Sequence, residues 1–485
     1  MADTNSIQAF VEPYQIPGAS AALNRNLAAM AESFAVTDDK VREIIAEFHR
    51  SMRAGLDKDD RDALPMIPTF VSRRPTGKET GHFLALDLGG TNLRVCQVEL
   101  RGDTTYSLVQ QKFTITQEAK ESRLWDFIAE CVGIFLEEHD LRPKPGRRTI
   151  PCGFTFSFPI FQTSIASGDL SMWNKGFTVP NSVGRDVVNL TQSAFQRHHV
   201  PVEVVAIVND TVGTLMTSAY SFPDTQMGII FGTGTNAAYW ENLSAVGKWK
   251  GDRRGEMVVN LEWGAFDNAT HVLPYTMHDN KLNRKSSNPG MQVYEKMISG
   301  LFLGEVARNA ILALVDQRLL FAGRSSEILN KSYTFDTAYM SAIVADDSPG
   351  LDAVGTVLEA TLELPPTDLV DRRAVQNVCR MIGTRGVRLS AAAMAAVLLS
   401  RPELLASPVS VGIDGSMYQF YPNFERDLYA VSRVFLGADF VDNRLKLHLA
   451  KDGSGVGAAI VAMTVEEERV AAAAAAATAT AAAAA

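Results

Sequence analysis

The stretch "FLALDLGGTN", residues 83–92, carries an apolar run into a carboxylate and then turns through two glycines, and the segment on the far side of that turn decides the architecture. There the chain reads "LRVCQVELRG", where Leu93, Val95 and Gln97 alternate with Arg94, Cys96 and Val98. The period is two, so the chain leaves the turn as a second strand. A dinucleotide or P-loop turn must instead open into a helix whose first amides hold phosphate, and neither G-x-G-x-x-G nor G-x-x-x-x-G-K-S/T is present at this turn. The turn therefore belongs to a hairpin, and its amides, with the Thr91 hydroxyl, can cradle phosphate as an anion nest.

The unit recurs in "MGIIFGTGTNAAYWEN", residues 227–242, where an apolar run again enters a Gly/Thr turn and leaves as a strand. Two such units imply two related lobes that face each other. Between them lie a helix with Trp125, Ile128, Val132, Phe135 and Leu136 on one side, the aromatic strand "CGFTFSFP" and the strand "VEVVAIVND". Strands first and helices after them, twice over, predict an α/β protein with a sheet in each lobe. A length of 485 residues agrees, since it exceeds what one core sustains.

Upstream, Thr37 caps a predicted amphipathic helix over 37–50, with Asp38 and Asp39 in its first turn and Val41, Ile44, Ile45 and Phe48 on one face. Downstream, "SSNPGMQVYEKMISGLFLGE" predicts a helix capped by Asn288 with Pro289 at its first position, and helical spacing at Tyr294, Ile298 and Leu301. Two Asp-Gly-Ser turns, in "VGIDGSMYQF" and "KDGSGVGAAIVAM", offer small residues where a ligand can approach the backbone.

A formal charge of −9 argues against nucleic acid or an anionic membrane surface as principal partner, so a polyanionic substrate must be held locally. Cys96, Cys131, Cys152 and Cys379 form no CxxC pair and read as core thiols of a reducing compartment, which makes the cytosol the expected location. The N-terminus has no secretion-signal pattern. The alanine run from Val470 to Ala485 is shorter than the roughly 20 residues of a membrane span and reads as a helical tail. Eight histidines without HExxH spacing argue against protein-bound zinc, and a missing G-x-S-x-G elbow argues against a serine hydrolase.

Several polar residues point to chemistry, each with an ordinary structural alternative. Asp87 is placed to hold Mg²⁺, directly or through water, opposite phosphates bound by Gly89, Gly90, Thr91 and Asn92; a strand-end turn residue is its plain reading. Asp210 ends "VVAIVN" and precedes the helical "TVGTLMTSAY", a position that suits either a helix N-cap or a general base at a strand's carboxyl edge. Glu295 suits the first turn of its helix whatever its role. Glu262 and Lys175 could be solvated, and Ser157 could satisfy a backbone group in a buried strand. Taken together, Ser157, Lys175, Asn209, Asp210, Glu262 and Glu295 supply the short donors and acceptors that a buried polyhydroxylated sugar requires.

In these residues the chain resembles the eukaryotic hexokinases, of the sugar kinase and actin-like superfamily, and its single-unit length is similar to the fungal form. "LDLGGTNLRV", "GFTFSFP", "WNKGF", "VNDTVGTL", "GTGTNAAY", "NLEWGAF", "NPGMQVYEKMISGLFLGE", "DGS" and "DGSGVGAA" occur in the family's order from about residue 80 to 460. The resemblance implies two ribonuclease-H-like lobes around a deep cleft that closes on the sugar. Residues 80–209 would form the small lobe and 210–456 the large one. Residues 1–79 would pack with the large lobe, and 457–485 would return to the small lobe as a C-terminal helix with an Ala-rich tail. It also implies ATP:hexose 6-phosphotransferase activity with Mg-ATP and a hexose as substrates, and it admits a homodimer.

Carried over by motif, Asp210 is the base and Lys175 assists it. Ser157, Asn174, Lys175, Asn209, Glu262 and Glu295 are sugar ligands, while Asp87 and Gly89 to Asn92, with Gly232 and Thr233, form the phosphate turns. Gly415, Ser416 and Ser454 are nucleotide contacts. Asn174 stands where the family has threonine, and "PYTMHDNKLNRKSS" replaces the family's acidic wording before Asn-Pro-Gly. A sugar-binding sensor of the same fold, or an actin-like ATPase, are the rival readings; the first needs no base and the second needs no sugar ligands.

Overall fold

A computed structural model describes residues 14–144, 146–173 and 175–484, with side chains to 478. Its strands in chain order are β1 (Ile67–Pro68), β2 (Thr80–Leu88), β3 (Asn92–Arg101), β4 (Tyr106–Thr114), β5 (Ile150–Phe156), β6 (Ile160–Ser164), β7 (Ser167–Leu170), β8 (Val202–Val208), β9 (Thr225–Phe231), β10 (Thr235–Asn242), β11 (Glu256–Asn260), β12 (Val409–Asp414) and β13 (Leu445–Leu449). One sheet has the order β4-β3-β2-β5-β8 and the other β1-β11-β10-β9-β12-β13, with β6 and β7 paired as a separate ribbon. In both sheets a three-stranded antiparallel meander, β2-β3-β4 or β9-β10-β11, continues into two parallel strands. The repeated Gly turn is thus the first hairpin of a repeated five-strand unit, and β1 extends only the second. This is the two-lobed α/β architecture of ribonuclease-H-like units.

Both faces of each sheet are covered, which is why β2 is buried without interruption from Leu84 to Leu88. Leu84, Leu86, Leu93 and Val95 pack with Trp125, Phe135 and Phe154 on one side. Ala85, Cys96 and Val98 pack on the other with Tyr220, Trp240 and Ala458. The period-two alternation in β3 therefore separates two apolar cores.

The layer between the sheets is made by two helices, Asp210–Ser221 and Gly453–Ala484. Each comes after the last strand of one sheet yet packs on the other: the first lies on β9, β10 and β12, the second on β2, β5 and β8. They cross backbone to backbone. A Cβ on Gly457 would stand 2.0 Å from the Gly213 carbonyl oxygen, and one on Gly213 would stand 2.9 Å from the Ser454 Cα.

The remainder of the second lobe is helical. The helix predicted from Thr37 is capped by that residue and runs over Asp38–Asp57, seven residues beyond the expected end, because Met52 and Leu56 prolong its buried face. It packs on Leu369–Ser400, a helix long and apolar enough to cross a bilayer but with 89 % of its most apolar stretch buried inside the protein. Arg385 of that helix forms a two-point ion pair with Asp279, at 2.7 and 2.8 Å, and both side chains are buried. Asp279 also closes a capping box with Thr276, so the unusual "PYTMHDNKLNRKSS" segment is anchored at its start.

One predicted boundary is corrected. The helix assigned to begin at Pro289 begins at Val293 and ends at Ile298, and Asn288 is not its cap. Gln292 enters the left-handed region (φ 52°) just before it, and an extended Ser299 separates it from the next helix, Gly300–Asp316. Tyr294 and Ile298 therefore lie on one helix and the half-exposed Leu301 on another.

Candidate active site

The first Gly turn joins β2 to β3 through the Gly89 N–H, which donates to the Asn92 carbonyl (3.0 Å), while the Thr91 carbonyl accepts from Ile115 N–H. Lys175 lays its alkyl stem over Gly90, where a Cβ would stand 3.2 Å from Cδ. The second turn is fixed from the helical side of its own lobe: the Gly232 and Thr233 carbonyls accept from the N–H groups of Gly300 (2.7 Å) and Leu301 (3.2 Å). Gly415 approaches it at φ 119°, and a Cβ there would meet the Phe231 carbonyl oxygen at 2.3 Å, so only glycine fits. Ser416 then opens a short helix over Ser416–Phe420.

Behind the first turn, Asp87 is 6 % exposed and its Oδ2 accepts from Arg94 Nε (3.0 Å), a second Arg94 nitrogen and Ser454 Oγ (2.7 Å). Arg94 also reaches Asp452 Oδ1 at 3.3 Å. The two Asp-Gly-Ser turns thus converge here. Ser454 is buried and bonded to Asp87, and Asp414 of the other turn has its carboxyl pushed up to about 6, by burial first, with Asp210 and Asp452 adding and the Gly415 amide and Arg94 opposing.

Asp210 is the first residue of its helix, and the N-cap is Asn209, whose Oδ1 accepts from Thr211 N–H (2.9 Å) and Thr211 Oγ1 (2.6 Å). That arrangement leaves Asp210 without a capping duty. Its Oδ1 accepts from Thr211 N–H at 2.9 Å. Burial raises its carboxyl above the usual range; Asp87 adds to the shift, and Lys175 opposes it. Asn236 Nδ2 bridges Asn260 Oδ1 (2.8 Å) and Glu262 Oε1 (3.0 Å), and Asn260 Nδ2 donates to the same Glu262 oxygen (2.9 Å). Glu262 itself is left-handed (φ 54°). Burial, then Asp210, raises its carboxyl, while Asn260, Asn236 and Lys175 oppose the rise. Glu295 accepts from Thr235 N–H (2.9 Å), and Thr235 Oγ1 in turn accepts from the Trp263 indole (3.0 Å).

Lys175, also left-handed (φ 54°), donates from Nζ to the Ser157 carbonyl at 2.6 Å and stands over the Phe158 ring. The contact is to the Ser157 backbone. Its charge nevertheless opposes the rise of the Asp210, Glu262 and Glu295 carboxyls together, so it lies near all three. Asn174 lies outside the described residues.

The clustered carboxylates carry an energetic cost. The Glu295 carboxyl is pushed up to about 7, by burial first, with Glu262 and Asp210 adding to the rise and the Thr235 amide and Lys175 opposing it. Between the ordinary 4.5 and about 7 the folded chain holds a proton that the unfolded chain releases. The group's contribution to stability is therefore full below pH 4.5 and lost as the pH rises through 7. Glu295→Gln is expected to raise the ligand-free protein's stability at pH 8 by about 1–3 kcal/mol, and by almost nothing near pH 4.5. Unfolding midpoints measured at both pH values check this, and an equal gain at both would contradict it.

Arg94, Asp414, Asn236 and Asn260 belong to this constellation and were not singled out from the sequence. Asn236 had a signal: Thr235-Asn236 repeats Thr91-Asn92 at the start of the matching strand of the other lobe. Asp414 had one too, as the first residue of an Asp-Gly-Ser turn. Asn260 had one as well, two residues before Glu262 in "NLEWGAF", whereas Arg94 had none, because its importance lies in the distant Asp452 and Ser454 that it reaches.

Residues 26–220 and 226–464 match the two family models described as hexokinase. Glucokinase of Aspergillus niger is 39 % identical, over 92 % of this chain and 97 % of that protein. Hexokinase-1 of Saccharomyces cerevisiae is 36 % identical, over 90 % and 91 % respectively. The solved structure of Schistosoma mansoni hexokinase complexed with glucose superposes with a TM-score of 0.81 at 36 % identity, covering 91 % of this chain and 99 % of that one. Two lobes built on one repeated hairpin, with carboxylates and amides gathered between them, accord with that kinship, and the chain belongs to the hexokinase family.

Proposed function

We propose that this hexokinase transfers the γ-phosphoryl group of Mg-ATP to the 6-hydroxyl of glucose or a closely similar hexose, with Asp210 as general base. One observation carries the reading. Asp210 is relieved of capping by Asn209 and held by the Thr211 amide, with its buried carboxyl influenced by both Lys175 and Asp87, which supports its reading as a base between an acceptor hydroxyl and a phosphate. The relatives named hexokinase and glucokinase, and the neighbour solved with glucose, support the substrate class.

Phosphoryl transfer asks chiefly for in-line positioning and charge neutralisation. Glu262, Glu295, Asn209, Ser157, Asn174 and Lys175 would hold the sugar hydroxyls, and Asp210, oriented by the Thr211 amide, would take the proton from the 6-hydroxyl. Its raised pKa makes it a stronger base than an ordinary carboxylate, and the Lys175 charge opposes the rise. The Gly89–Asn92 turn, Gly232, Thr233, Gly415 and Ser416 would line the triphosphate, and Ser454 would act through Asp87. Among the described residues no cluster of three or more His, Cys, Asp or Glu is arranged to hold a metal. The donor set fits an ion that brings its own phosphate ligands, with Asp87 beside it. Bound Mg²⁺ supplies charge neutralisation at the phosphates. Closure of the lobes would exclude water, a competing acceptor.

The division at 80–209 and 210–456 is supported by the two sheets, and the return of the C-terminal segment to the first lobe by the packing of its helix on β2, β5 and β8; that helix begins at Gly453, four residues before the expected 457. Four buried free thiols support a cytosolic setting.

A coupled assay of ADP formation with Mg-ATP tests the function. Release that depends on glucose supports the kinase. Glucose binding without ADP release would leave a sensor, and equal release with and without sugar would leave an ATPase. Mannose and fructose run in parallel rank the acceptors, a discrimination that rests on single hydroxyl contacts.

A further inference from the structure

Lys296 is 3 % exposed and is not part of the mechanism above, yet it adjoins Glu295. Its Nζ places all three protons, one on Asn283 Oδ1 (2.9 Å) of the helix Met277–Lys285 and two on the turn that follows it, at the Asn288 carbonyl (2.8 Å) and the Met291 carbonyl (2.8 Å). Asn283 Oδ1 also accepts from Gly290 N–H at 3.0 Å. The turn held in this way runs directly into left-handed Gln292 and the first turn of the Glu295 helix. Gln292 and Glu295 pack on Gly264, where a Cβ would stand 2.3 Å from Gln292 Oε1 and 3.2 Å from Glu295 Cβ. Gly264 lies two residues beyond Glu262. The clamp therefore sets one sugar carboxylate against the loop that carries the other.

We propose that Lys296, through Asn283, is a positioning residue for the hexose site, locking the Asn288–Gln292 turn so that Glu295 and Glu262 face the sugar in one fixed relation. The inference rests on reading this cleft as the hexose site. Every acceptor on the ammonium is neutral, and Asn283 lies in the segment whose wording is less acidic than the family's. The consequence is a buried cation with weak charge compensation. Burial brings the ammonium down to about 8, and Glu295 is the charge that opposes the shift. Above that pH a neutral amine has only two protons for three acceptors, and the turn loosens.

Three variants of the full-length enzyme test this by steady-state kinetics and glucose titration of intrinsic fluorescence. Lys296→Met is expected to raise the glucose KM and Kd by at least about tenfold while kcat falls less than about threefold, and Lys296→Arg is expected to give no rescue because its planar fork cannot match three converging acceptors. Asn283→Asp places a carboxylate on the ammonium, so the alkaline rise in KM, expected to begin near pH 8 in the unchanged enzyme, moves to higher pH. That profile is readable even if Lys296→Met folds poorly. Glucose KM within twofold of the unchanged enzyme in Lys296→Met, or an alkaline limb that Asn283→Asp leaves in place, overturns the proposal. Failure of the unchanged protein to bind glucose overturns the reading of the cleft itself.

Discussion

Replacement of Asp210 by asparagine is expected to lower kcat by about 10²–10⁴-fold, the range supplied by a positioned general base, with little change in glucose affinity. Asparagine keeps an oxygen for the Thr211 amide that now donates to Asp210 Oδ1, so the side chain retains its orientation and loses only its basicity. Burial raises the Asp210 carboxyl, and the acid limb of kcat/KM should accordingly lie above the ordinary carboxylate value of 3.8. As pH falls through the raised pKa the base is protonated and the rate is lost. Removing this charge should leave the ligand-free fold at least as stable at neutral pH, because the ionised form is the disfavoured one. Pre-steady-state measurement of sugar phosphate formation, with glucose affinity measured separately, decides the matter. A variant that keeps kcat within tenfold, or one that merely fails to bind sugar, would remove Asp210 from the role of base.

The features that sequence reasoning reached, and those it missed, divide by the distance over which each residue acts. The hairpin nature of the Gly turns came from the period-two pattern beyond them, and β2–β3 and β9–β10 pair antiparallel as expected. The place of Asp210 was readable from local order, since the apolar run before it and the helical pattern after it put it at a strand–helix junction. Its distinction from a cap was not readable, because only the structure shows Asn209 taking that duty. The Asn288 boundary failed because Asn-Pro is a good start signal and nothing local reports that Lys296 recruits the Asn288 and Met291 carbonyls into a turn instead. Lys175, Glu262 and Gln292 all adopt left-handed backbone without being glycine, a conformation costing about 1–3 kcal/mol that surrounding contacts must impose. The link from Arg94 to Asp452 and Ser454 joins residues 358 and 360 positions apart, beyond the reach of any local pattern.

Gly457→Ala is the substitution for which helix propensity and packing give opposite signs. In an exposed helix interior the change stabilises by about 0.5–1 kcal/mol. Here the new methyl would lie 2.0 Å from the Gly213 carbonyl oxygen and 2.3 Å from its Cα, so the two crossing helices must separate by roughly 1 Å or distort, and overpacking of this kind costs about 1–3 kcal/mol or more. The effect reaches the site because one helix begins at Asp210 and the other carries Ser454, the partner of Asp87, in its first turn. A displacement of about 1 Å between a base and the group it serves can lower the rate about 10²-fold. We therefore expect Gly457→Ala to lower both the unfolding midpoint and kcat, with glucose affinity affected less. Gly455→Ala is the control: it stands two residues away on the same helix, gains the same propensity, and meets only the Cys96 sulfur at 3.3 Å. If both variants stabilise the protein alike and leave kcat unchanged, the helices do not touch at Gly457 and the coupling between the two lobes must run elsewhere.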